Sequence, residues 1–124
     1  TIGQLCHMAA ALYTSQAIVI TDIRSVALEK ATEIGVTAAL NPLKASFEEE
    51  LFAIAPDGFD ILLEASGAST ILTNTVKFIK KGGKIVQLGM HHDNAQFPFA
   101  AFMKNELIFQ SSFRFNQECY KKSF

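Results

Sequence analysis

Leu5, Met8, Ala9 and Leu12 recur at the spacing of one helix face, which predicts a helix over residues 3–14 that starts at Gly3 and turns this stripe to a core. The pattern then changes to Ala17-Ile18-Val19-Ile20-Thr21, an unbroken apolar run rich in β-branched side chains. Such a run reads as a parallel strand covered on both faces, and Asp22 ends it. Helical spacing returns over 25–34 through Leu28, Ala31 and Ile34, with Ser25 as N-cap and Gly35 as the left-handed residue that closes the helix. A short strand over 37–40 precedes the Asn41-Pro42 turn. Ser46-Phe47-Glu48-Glu49 then has the form of a capping box, in which serine and glutamate each satisfy a free backbone N–H, and it opens a helix to about Ala55.

Pro56-Asp57-Gly58 turns the chain into an apolar strand over 59–64, which stops at Ala65-Ser66-Gly67. A helix over 69–81 is expected next. Its last turn would set Lys77, Lys80 and Lys81 beside the negative end of the helix dipole, and Gly82-Gly83 would end it. A strand over 84–88 closes at Gly89, a loop carries His91-His92-Asp93-Asn94, a short helix spans 99–105, and a last strand spans 107–112. Alternating helices and strands of this kind require crossover connections, hence a parallel sheet of the doubly wound Rossmann type. Such a sheet has its first strand at the centre, in the order 3-2-1-4-5-6, whereas this chain opens on a helix. The sheet is therefore expected to split between the strand near residue 17 and the one near residue 59. The first strand would lie upstream of Thr1 or come from another chain.

A length of 124 residues suits one domain, with 49% hydrophobic and 19% charged residues. Eleven basic against twelve acidic residues leave a formal charge of -1, which favours a small ligand over nucleic acid or an anionic membrane. Cys6 and Cys119 lack the spacing of a zinc knuckle or redox pair, and neither a membrane span nor a secretion signal is evident. A soluble, cytoplasmic protein is expected.

A dinucleotide site needs a glycine turn running into a helix N-terminus, then an acid about 20 positions later for the adenosine ribose. Asp22 lies 19 positions after Gly3. Only the third glycine of a GxGxxG could be present, the one that permits close packing of helix on strand. These two positions alone fit an ordinary helix start and an ordinary turn equally well.

Taken in order, Thr1-Ile2-Gly3-Gln4-Leu5, Val19-Ile20-Thr21-Asp22, Ala31-Thr32-Glu33-Ile34-Gly35, Leu63-Glu64-Ala65-Ser66-Gly67, the Gly82-to-Gly89 segment GGKIVQLG and Ser112-Phe113-Arg114-Phe115 resemble successive motifs of the zinc-dependent medium-chain alcohol and polyol dehydrogenases. The Phe-Arg-Phe segment is most similar to the sorbitol and xylitol dehydrogenase branch. The resemblance implies that backbone N–H groups near Thr1 and Ile2 meet the pyrophosphate, with Ile2 also packed toward the nicotinamide. Asp22 would bind the adenosine ribose and repel a 2'-phosphate, making NAD rather than NADP the cofactor, and Ile23 would flank the adenine. Arg24 could pair with a phosphate if Asp22 turned away. Ala27 stands where many relatives carry a basic second ribose contact.

By the same resemblance Ala65, Ser66 and Gly67 line the adenosine side, while Leu88, Gly89 and Met90 present backbone groups to the nicotinamide carboxamide. Ser112, Phe113 and Arg114 would close the other side of the ring, Arg114 being either a water or substrate contact or a solvated surface residue. The catalytic zinc of similar enzymes is held by another domain, and no ligand spacing here matches it. Hydride transfer between a secondary alcohol and NAD is thus expected of the parent enzyme, not of this segment. His91-His92-Asp93 reads as solvent-exposed loop and His7 as packing or surface. The phenylalanines of 97–124 read as core and subunit contact, since the family commonly forms homo-oligomers through its last strand.

Two other classes compete. A Rossmann-like methyltransferase also carries an acid after its second strand but needs an antiparallel final hairpin, which the segment after Gly89 does not suggest. A non-catalytic nucleotide-binding or assembly module would keep the fold without the chemistry.

Overall fold

The computed structural model describes residues 2–14, 16–90, 94–114, 118, 121 and 122. In order they form α1 (Ile2–Ala11), β1 (Val19–Thr21), α2 (Ser25–Glu33), β2 (Ala38–Leu40), α3 (Phe47–Ile54), β3 (Phe59–Glu64), α4 (Ile71–Thr75), a 3-10 turn (Val76–Phe78), β4 (Ile79–Gln87), α5 (Phe99–Lys104) and β5 (Ile108–Ser111). Every strand pairing is parallel. The strands make two sheets, β1-β2 and β3-β4-β5, so the divide falls between the strand near residue 17 and the one at residue 59, as expected. β5 pairs in parallel with β4, and among the described residues no antiparallel hairpin of the kind the methyltransferase reading needs is present.

Two apolar clusters hold this arrangement together. Ile85 of β4, fully buried, packs with Leu72, Val76, Ile79 and Phe102, beneath α4 and α5. Leu51 of α3 joins Leu40 of β2, Phe78 of the 3-10 turn, Val19 of β1 and Phe59 of β3, so α3 ties the two sheets to each other on one face. On the other face α1 contacts both β1 and β3. Phe97 stacks against Phe99, Phe102 and Phe109, with ring centroids 4.6, 4.4 and 5.4 Å away. These phenylalanines act as packing, in keeping with the core reading of that segment.

Several expectations are corrected. The stripe Leu5, Met8, Ala9 and Leu12 lies exposed, with Leu12 at 81%. The less exposed positions of α1 are instead Gly3, Gln4, Cys6, His7 and Ala10, a second set at helical spacing. Burial pushes the Cys6 thiol up from its ordinary value, so it is no activated thiolate. The strands near the divide are also less covered than a two-face burial pattern predicts: Val19 and Ile20 are half-buried and Ile61 is 57% exposed. Their apolar runs border the open space between the sheets.

Neither helix cap forms as expected. Arg24, not Ser25, occupies the N-cap of α2, and its side chain makes no cap bond. Ser46 does precede α3, but in helical geometry, and its hydroxyl donates to Glu50 Oε1 instead of serving a capping box. Gly35 does take the left-handed conformation, at φ 81°.

The largest departure concerns Lys80 and Lys81, which sit in β4 and not in a helix. Helical structure ends at Phe78 because Ile79 pairs with Phe59. Between that pair and Ile61↔Lys84, β4 advances five residues while β3 advances two, so Lys80-Lys81-Gly82-Gly83 form a bulge, with Gly82 at φ 75°. Lys80 pairs with Asp60 and Lys81 with Glu106, so both answer carboxylates instead of a helix terminus.

Gly58 stands at φ 89°, and a Cβ there would lie 2.8 Å from the Phe78 carbonyl oxygen and 2.9 Å from the Lys80 nitrogen. Both obstacles are backbone and cannot rotate away. Gly58→Ala is therefore expected to destabilise the full-length protein by about 1–3 kcal/mol, read as a lowered thermal midpoint; an unchanged midpoint would refute the close approach.

Candidate dinucleotide site at the C-terminal edge of the strands

Strands run parallel within each sheet, and Thr21, Pro42 and Leu43, at or after the ends of β1 and β2, line one cavity with Ile71 and Asn74 of α4, which follows β3. The segments after β1, β3, β4 and β5 therefore share the C-terminal side, where open parallel sheets bind ligands. Asp22 directly follows β1, and its backbone N–H donates to the Leu40 carbonyl, which fixes the residue against β2. Its carboxylate is held by its own loop. Arg24 donates from its backbone N–H to Oδ1 at 2.9 Å, from Nε to Oδ1 at 3.1 Å and from Nη2 to Oδ2 at 3.0 Å.

This fork holds the Asp22 carboxyl below the usual carboxylate range, first through the side-chain hydrogen bond and then against a smaller opposing effect of burial. It raises the Arg24 guanidinium correspondingly. Arg24 is thus committed to Asp22 in this structure and leaves lone pairs mainly on Oδ2 for a further donor. Ile23 is exposed between them.

The segments after β3 and β4 meet each other. Glu64, the last residue of β3 and 3% exposed, accepts from the backbone N–H of Ser66 at 2.6 Å and of Gly67 at 3.1 Å. Its main-chain carbonyl accepts from Leu88 and Gly89 at 2.7 and 2.9 Å. A Cβ on Gly67, at φ 71°, would lie 2.5 Å from the Met90 carbonyl oxygen, and one on Gly89 would lie 2.3 Å from the Gly67 nitrogen. Ala65, Ser66, Gly67, Leu88, Gly89 and Met90 are therefore brought into one neighbourhood. Ser112 joins them by donating its N–H to the Gln87 carbonyl at 2.9 Å. Arg114, left-handed at φ 59°, stacks over the Phe113 ring at 5.0 Å.

Thr1, His91, His92, Asp93, Phe115 and Cys119 lie outside the described residues. Ile2 begins α1 and is exposed. Gly3 is in α1, and nothing lies within 4 Å of a Cβ built on it. His7 is buried, with Nδ1 lacking a partner, which agrees with packing and not catalysis.

Some residues were missed by sequence reasoning. Gln4 reaches from α1 to the Ala27 carbonyl at 3.4 Å, and with Arg24, Val26, Ala27 and Lys30 it lines a cavity of about 190 Å³ beside Asp22. A second cavity of about 400 Å³ opens beyond the end of β1, between Thr21, Leu43, Ile71 and Asn74. Arg24 and Ala27 were singled out by the resemblance, whereas Gln4, Leu43, Ile71 and Asn74 come from separate elements and loops that no sequence spacing links. The buried Glu64–Gln87 pair could have been noticed as polar residues at core positions of two apolar strands.

The zinc-binding dehydrogenase family pattern matches residues 1–124. The chain belongs to that family. The D-xylulose reductase of Saccharomyces cerevisiae is 32% identical over 127 residues, covering 98% of this chain and 36% of that protein. Among solved structures, the L-idonate 5-dehydrogenase of Escherichia coli superposes with a TM-score of 0.82 at 27% identity, covering 97% of this chain and 34% of that one. A zinc-binding dehydrogenase of Sinorhizobium meliloti bound to NADP superposes with a TM-score of 0.76 at 25% identity, covering 90% and 34%. The chain spans about a third of the length of these family members.

For a group whose folded pKa is depressed, stability is present above its ordinary value and is lost as pH falls through the lowered one. Arg24→Ala should therefore move the Asp22 titration up toward the ordinary carboxylate range and make the loop lose its support at higher pH. Carboxyl carbon chemical shifts followed against pH check this; an unmoved Asp22 titration would show that the fork does not hold it.

Proposed function

We propose that residues 1–124 are the nicotinamide-dinucleotide-binding domain of a zinc-dependent alcohol or polyol dehydrogenase, in which a secondary alcohol is oxidised with NAD. The observation that carries this reading is the Asp22 carboxylate at the end of β1, on the same sheet edge as the Glu64–Gly67 and Gln87–Met90 segments. An acid there accepts hydrogen bonds from the adenosine ribose and repels a 2'-phosphate, which favours NAD even though one neighbour holds NADP. Backbone N–H groups at the start of α1, from Thr1 and Ile2, would take the pyrophosphate. The 88–90 backbone would take the carboxamide, and Phe113 with Arg114 would close the ring's other side. The bound nicotinamide supplies the hydride acceptor; the residues of this chain bind and orient it.

Zinc is a different case. Among the described residues no three His, Cys, Asp or Glu side chains gather where they could hold a metal ion. We assign the zinc and substrate contacts to another part of the parent protein. A strand upstream of Thr1 would fill the divide between the sheets. β5 ends the three-stranded sheet with Ile108 and Phe109 exposed, an edge suited to homo-oligomer formation in a cytoplasmic enzyme.

Titration of the full-length protein with NADH and NADPH, read by the fluorescence gain of the bound nucleotide, tests the reading. NADH should bind more tightly than NADPH. Asp22→Ala should weaken NADH about 10- to 100-fold, the loss of hydrogen bonds to a charged acceptor, and narrow the preference. Binding of neither nucleotide by a folded protein would leave the assembly-module reading in its place.

A further inference from the structure

Glu64 and Gln87 are register partners on adjacent strands, so their side chains lie together on one face, each more than nine-tenths buried. Around them the polar groups form a closed set. Glu64 Oε1 accepts from the Ser66 N–H and hydroxyl, and the Ser66 hydroxyl accepts in turn from the Ala68 N–H at 3.1 Å. Gln87 Nε2 donates to Glu64 Oε2 at 2.5 Å and to the Gly89 carbonyl at 2.7 Å. One carboxylate thus fixes the segment after β3 through its own oxygens and the segment after β4 through Gln87.

Stability does not account for this arrangement. Two aliphatic side chains at these register positions would bury without the desolvation cost of a carboxylate and an amide, and would hold the strands at least as well. The Gln87 Oε1 atom makes the cost plain, being buried without a hydrogen-bond partner. What the polar set adds is direction, since buried hydrogen bonds to a carboxylate and an amide fix the orientation of the backbone groups they touch. Those groups are the Ser66 and Gly67 N–H and the Gly89 carbonyl, in the two segments that contact each other at Gly67, Gly89 and Met90.

We infer that Glu64 and Gln87 are positioning residues for the dinucleotide: Gln87, braced on Glu64, sets the backbone of 88–90 and thereby the affinity for the nicotinamide half of the cofactor. This rests on the dinucleotide reading above. Neither side chain is required to touch the cofactor.

Gln87→Met separates positioning from scaffolding. It keeps an unbranched chain of similar volume, releases the Gly89 carbonyl, removes the unpartnered Oε1 and leaves Glu64 Oε2 to the Gly67 N–H, so the lost hydrogen bonds are offset in part by the relieved Oε1. The full-length variant and wild type are titrated with NADH and with ADP-ribose, which lacks the nicotinamide, and both are melted. The expected result is NADH affinity about tenfold weaker, ADP-ribose affinity within about twofold of wild type, and a similar thermal midpoint. Glu64→Gln, which keeps only one acceptor oxygen and sets an NH2 either against the Gln87 Nε2 donor or against the Ser66 N–H, should weaken NADH. A folded Gln87→Met protein with an unchanged ratio of the two affinities overturns the brace alone. A midpoint lower by more than about 10 °C marks the pair as scaffold and overturns it as well. Wild-type protein that binds neither ligand overturns the dinucleotide reading itself, and the brace with it.

Discussion

Parallel pairing is the constraint from which the remaining features of this chain descend. A parallel neighbour can be reached only by a crossover, and each crossover carries a helix back over the sheet, so apolar side chains are covered by helices and every strand leaves the sheet on the same side. That one-sidedness gathers Asp22, Glu64 to Gly67, Gln87 to Met90 and Ser112 to Arg114, four segments distant in sequence, along one edge.

The same constraint explains how two separate sheets behave as one body. No hydrogen bond joins β1 to β3, yet α3 packs Leu51 and Phe47 against residues of both sheets, and α1 touches both from the opposite face. Helix packing here substitutes for a strand ladder. It is a weaker substitute where side chains border the divide, which is why Ile61 and Leu63 stay exposed while Ile85, one strand further in, is fully covered.

The sequence was most legible where a single local rule decides the outcome. The alternation of elements, the 59–64 strand, the Gly35 helix end and the split of the sheet all follow from periodicity and from the need for crossovers, and all are present. Legibility failed where tertiary partners outvote local preference. The 69–81 segment has helical spacing to its end, but Ile79 gains a strand partner in Phe59, and Lys80 and Lys81 follow it into the sheet. The leucine stripe of α1 lost to the set Gly3, Gln4, Cys6, His7 and Ala10. Of the site, the acid after β1 could be read from spacing. The Arg24 fork could not, since it depends on where a side chain turns, and Glu64 and Gln87 were visible only as polar residues in apolar strands, their pairing depending on which strands become neighbours.

The division of the sheet also bears on how the chain opens and closes. β3, β4 and β5 share the buried cluster around Ile85, whereas β1 and β2 share only the smaller one around Leu51. Regions joined by few buried contacts open at lower free energy than the regions they lean on. By that rule β1 and β2 are expected to exchange their amide hydrogens sooner than β3, β4 and β5.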